Sequence, residues 1–143
     1  MKFTESLKRK AIESLNGELA WKKQDIFSAI DELIENGNAI LGGDVWAVLT
    51  EFNRSENILT RIEPHQIAVG LIKDKNNETN VFNWYTNRME NESWTDYMNR
   101  TKEESIKAIE ILNAEKTTKT KYRNSIFYNL VFCNENEFEK LIE

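Results

Sequence analysis

Ala39-Ile40-Leu41-Gly42-Gly43-Asp44-Val45-Trp46-Ala47-Val48-Leu49 is the longest apolar run in a chain of 143 residues, and its reading decides the fold. Alternation puts Val45, Ala47 and Leu49 on one side and Trp46, Val48 and Phe52 on the other. Both sides are mainly apolar, which predicts a central strand covered on both faces. Gly42-Gly43 interrupts the run near its start. Glycine inside a strand pattern marks a bulge or a close backbone approach. The glycines do not form a phosphate loop, because the spacing is wrong and no helix follows them. Asp44 then either bonds backbone at the bulge or presents its carboxylate to a partner.

The segment before this run is helical. Ile26, Phe27, Ile30, Leu33 and Ile34 fall on one stripe, and Asn36-Gly37 supplies a C-terminal stop, so residues 21–36 are predicted as a helix. Residues 4–16 are predicted as another, capped by Thr4, striped by Leu7, Ala11 and Leu15, and ended by Asn16-Gly17. Its Lys8-Arg9-Lys10 run reads as a solvated face.

The segment after it is strand-rich. Residues 58–62 fit a short strand or a helical turn. Ile67-Ala68-Val69-Gly70-Leu71-Ile72 and Val81-Phe82-Asn83-Trp84-Tyr85 flank the turn residues Asp74-Lys75-Asn76-Asn77, which predicts a β-hairpin over 66–86. Ser93 and Thr101 are each followed three residues later by an acidic residue. Residues 93–115 are therefore either two helices or one continuous helix. After a lysine- and threonine-rich loop at 115–123, residues 126–133 form a last strand, and Phe138 and Leu141 dock a short final helix. The order predicts a single α+β domain over residues 1–143, with a mainly antiparallel sheet of about four strands and helices on one face.

Composition narrows the function classes. With 19 basic and 24 acidic residues the formal charge is −5. Phosphate binding needs a basic stripe, so nucleic acid is not the expected ligand, whereas a basic protein partner suits the balance. Cys133 is the single cysteine and His65 the single histidine, too few for a disulfide or a typical zinc site. No apolar run approaches 18 residues and the N-terminus lacks a signal-peptide core, so no membrane span and a cytoplasmic location are expected.

Acidic residues and aromatics concentrate at Glu90, Glu92, Trp94, Asp96 and Tyr97. That pattern fits acids at a helix N-terminus, or a protein-binding patch with aromatic anchors. Acid–base catalysis through Asp44, Glu92 or Asp96 would need a pocket that separates their pKa values. A regulatory module, homodimeric through the open sheet face, also fits.

Taken together, several segments resemble small α+β immunity proteins of bacterial polymorphic toxin systems, of the immunity protein 40 type. They are the helix leading into Leu41-Gly42-Gly43-Asp44-Val45-Trp46, then Asn83-Trp84-Tyr85, Glu92-Ser93-Trp94-Thr95-Asp96-Tyr97, Ser105-Ile106-Lys107-Ala108-Ile109 and the final strand. The resemblance covers residues 20–133 and implies a protein that occludes one cognate toxin domain, with no catalysis and no cofactor. Asp44, Trp46, Trp84, Glu92 and Trp94 carry it. With Glu90, Asp96 and Tyr97 they make up the expected partner-binding set.

Overall fold

A computed structural model describes residues 3–51, 54, 58–118 and 125–142. Phe52, most of the polar loop at 53–57 and most of the basic part of the 115–123 loop lie outside the described residues. The chain runs α1 (Glu5–Lys10), β1 (Ile12–Ser14), β2 (Leu19–Trp21), α2 (Lys23–Glu35), β3 (Asn38–Val48), β4 (Thr60–Ile62) and a 3-10 turn at Pro64–Gln66. It continues with β5 (Ile67–Val69), β6 (Leu71–Lys73), β7 (Thr79–Val81), β8 (Asn83–Tyr85), α3 (Trp94–Leu112), α4 (Ala114–Thr117), β9 (Ile126–Asn134) and α5 (Glu135–Leu141).

The class is α+β, but the sheet is larger than the expected four strands. Seven strands pair in the order β4-β1-β2-β9-β3-β5, with β8 also on β3, and β6-β7 form a separate two-stranded ribbon. The β1–β4 pair is parallel and the others are antiparallel. The first predicted helix is also shorter than expected. α1 ends at Lys10, and Ile12–Ser14 turns back on Leu19–Trp21 as a hairpin. Asn16-Gly17 is the reason. The dipeptide favours hairpin turns as much as helix stops, and Gly17 sits at φ +83°.

β3 is the central strand. One edge pairs with β9 from Asn38 to Ala47, with a register shift between Ile40 and Gly42. The bulge leaves the Ile40 amide to donate to Thr101 Oγ1 on α3 at 3.0 Å. The other edge is shared. β8 pairs with Gly42–Asp44 and β5 with Trp46–Val48. Between them, at Val45, the hairpin straddles the edge: Gly70 N donates to Val45 O, and Val45 N donates to Phe82 O. Gly70, at φ +73°, supplies the bend that separates β5 from β6.

The two faces of β3 serve two cores. Val45 and Ala47 join Ile126, Tyr128 and Leu130 of β9 under α2 and α3, whose Ile26, Ile30, Leu33 and Ile109 are buried. Each such aliphatic side chain contributes about 1.5–3 kcal/mol on burial. Trp46 and Val48 face the other way, in a smaller core built from strand side chains: Ile12, Ala20, Ile62 and Phe127. Leu49 lies beyond the end of β3 and is exposed rather than packed with Val45 and Ala47.

α3 is one helix. Ser93 caps it, accepting from Asp96 N, and Asn113 closes it at φ 45°. Thr101, at the second capping signal, is buried in mid-helix. Its hydroxyl donates to Met98 O while accepting from Ile40 N. α5 is held by Asn134, which accepts from Glu137 N, and by Phe138 against Trp94 and Tyr97. Leu141 is exposed and does not dock. Cys133 is a buried free thiol, pushed above its ordinary pKa by burial.

Candidate interaction surface

The start of α3 is a clamp built from the residues singled out by sequence. Arg100 grips Glu92 with both carboxylate oxygens, Nε to Oε2 and Nη2 to Oε1, each at 2.8 Å. Met89 N donates to the same carboxylate. These donors hold the Glu92 carboxyl at about 2, the Arg100 hydrogen bond being the larger cause. Arg88 donates to Glu92 O and lies over the Trp94 and Phe138 rings. Trp94 Nε1 donates to Gly37 O at 3.0 Å, tying α3 to the end of α2. Tyr97 is fully buried, and its hydroxyl donates to Thr86 O at 2.6 Å.

Glu92, Trp94 and Tyr97 are thus brought together as parts of one structural joint. Glu90 and Asp96 are exposed around it. Arg88 and Arg100 are the joint's essential cations. No local spacing rule points to them, because Glu92 and Arg100 meet across a loop-to-helix turn.

Trp46 is buried in the strand-only core. Trp84 is half-buried on the helix-covered face, with Nε1 donating to Ser105 Oγ at 3.1 Å. Gly42 and Gly43 explain its position. A Cβ on Gly43 would overlap the Trp84 ring and the Asn129 carbonyl, and one on Gly42 would overlap the Trp84 carbonyl. The paired glycines therefore serve the close approach, while the bulge falls at Leu41, just before them.

Asp44 is partly buried, and it lies on β3 between Asn129 of β9 and Asn83 of β8 in the register. It has no hydrogen bond or ion pair among the described residues, and partial burial raises its pKa.

Three clefts of about 450, 560 and 640 Å³ lie beside the β1–β2 hairpin, beside β6–β7 and between α1 and α2. None is lined by Asp44, Glu92 or Asp96. Among the described residues no group of three histidine, cysteine or acidic side chains is placed to hold a metal ion. No helix among them is long and apolar enough to cross a membrane.

Sequence reasoning missed the exposed apolar side chains Val69, Tyr85 and Val131 on the far face of the sheet, and Leu71 and Val81 on the β6–β7 ribbon. Period-two alternation with buried Ile72 and Phe82 was the available signal for Leu71 and Val81.

A family model described as Immunity protein 40 matches residues 6–132, most of the chain. No curated protein and no solved structure gives a significant match.

Proposed function

The chain belongs to the immunity protein 40 family, and from that premise we propose that it binds one cognate bacterial toxin domain and neutralises it by stoichiometric occlusion. Family membership over residues 6–132 is the observation that carries the reading. It implies a protein partner and a non-enzymatic role. In this reading the whole chain acts as one domain and meets the toxin in the cytoplasm.

The physical features support a binding surface. Occlusion needs a preformed rigid face rather than a reactive group, and the clamp around Glu92 and Arg100 supplies rigidity where the charges concentrate. Among the carboxylates of the expected set, Glu90 and Asp96 are exposed and Asp44 is partly so. With a formal charge of −5 they favour a basic toxin domain and speed its approach. Trp46, Trp84, Glu92, Trp94 and Tyr97 act by holding those carboxylates and their strands in place.

The test is co-expression with the toxin domain encoded beside the gene. Protection of the cells, with loss of toxin activity at a one-to-one ratio in vitro, is the expected result. Unprotected cells and no binding in vitro would end the reading.

A further inference from the structure

α2 and α3 cover one face of the sheet, and the other face carries a set of unused side chains around Asp44. Register places Asp44 directly between Asn83 and Asn129 on its neighbouring strands. One step along β3, at Gly42, the corresponding neighbours are Tyr85 and Val131, 77% and 47% exposed. One step the other way, Val69 pairs with buried Trp46 and is itself exposed. Leu71 and Val81, paired on the separate β6–β7 ribbon, are exposed as well.

Two acceptors at the centre lack donors. Asp44 has no partner among the described residues. Asn129 donates its Nδ2 to Leu19 O, but its buried Oδ1 accepts from nothing described. Buried acceptors are nearly always paired, so Asn129 Oδ1, with the partly buried Asp44 carboxylate beside it in the register, marks a place with unmet acceptors. An apolar rim around a desolvated charge is also the usual anatomy of a binding hot spot.

We propose that this helix-free face is where the toxin docks, with an arginine or lysine of the toxin seated on Asp44 and apolar toxin side chains packed on Tyr85, Val131 and Val69. The inference rests on the immunity reading and locates its energetic centre. Glu90 and Asp96 then act as peripheral charges. A guanidinium or ammonium answers the missing donors, and the net acidic charge repels a partner of like sign. A second copy of this chain would bring another Asp44 to the same acidic face and leave the donors missing.

The test is calorimetric titration of the full chain with a catalytically inactivated form of the toxin domain encoded beside the gene. Asp44→Asn is expected to weaken Kd about 30-fold or more, and Val131→Asp about tenfold or more. Glu90→Gln changes Kd less than about fivefold, as a rim charge does. Asp44→Asn also melts no lower than the parent, because it removes a desolvated charge, whereas a residue kept for folding would lower the melt. If the parent binds and both face variants bind equally well, the docking face lies elsewhere and the inference fails while the immunity reading stands. It also fails if the parent is a dimer that Val131→Asp converts to a monomer with toxin affinity unchanged. If the parent itself neither binds nor protects, the immunity reading falls and takes this inference with it.

Discussion

The Trp84 indole lies against Gly43, filling the space where any other residue would carry its Cβ, and its Nε1 donates to Ser105 on α3 at 3.1 Å. The contact joins β8, the central strand and the long helix through one side chain. Gly43→Ala would push on the Asn129 carbonyl as well as the ring, and a backbone atom in a central ladder cannot move aside. The expected cost is about 3 kcal/mol. Gly17→Ala, in an open turn at φ +83°, has only backbone strain to bear and is expected to cost about 1–2 kcal/mol. Urea denaturation of the two variants checks the ordering.

Thr101 compensates for the β-bulge. Its hydroxyl accepts from the Ile40 amide at 3.0 Å, and both residues are fully buried. Thr101→Val keeps the shape and removes the acceptor, so it is expected to cost about 1–3 kcal/mol. Thr101→Ser is expected to recover most of that loss. Thermal melts of the pair separate the hydrogen bond from packing.

Glu92 gives the protein a defined acid response. Its carboxyl is lowered from 4.5 to about 2 in the folded chain, chiefly by Arg100. A lowered carboxyl stabilises the fold above the unfolded value, and that contribution is lost as pH falls through the folded value. Glu92→Gln is therefore less stable than the parent at neutral pH, and the difference shrinks between pH 4.5 and about 2. Denaturation midpoints measured across that window check the sign. A gap that stays constant with pH would contradict it.

Much of this architecture was legible in the sequence, and the misses share a cause. The α2 stripe, its Asn36-Gly37 stop and the two-sided apolar run of β3 each span enough residues for periodicity to identify them. Ile12–Ser14, Leu19–Trp21 and Thr60–Ile62 are three residues each, too short to show a period, and β1 pairs in parallel with a distant β4. The stripe of Leu7 and Ala11 therefore absorbed Ile12–Ser14 into a helix. At the surface, composition showed acids and aromatics near Tyr97. It could not show that Arg100 occupies Glu92, or that Tyr97 is buried. Those facts depend on contacts between segments.

Tyr97 separates fold from recognition. Its hydroxyl supplies Thr86 O with a hydrogen bond inside the core. Tyr97→Phe is expected to lower stability by about 1–3 kcal/mol. At a temperature where it remains folded, it is expected to bind the toxin domain with unchanged affinity. Tyr85→Ala should show the reverse, with stability within about 0.5 kcal/mol of the parent and weakened binding. Paired melts and titrations read both effects.

The claim that this chain neutralises a toxin by binding it is tested most directly by titrating the purified chain into the active toxin domain encoded beside its gene, with toxin activity as the readout. A linear fall in activity that reaches its floor at one equivalent is the predicted result. Activity that persists with a large excess of the chain, together with no heat of binding, would contradict it.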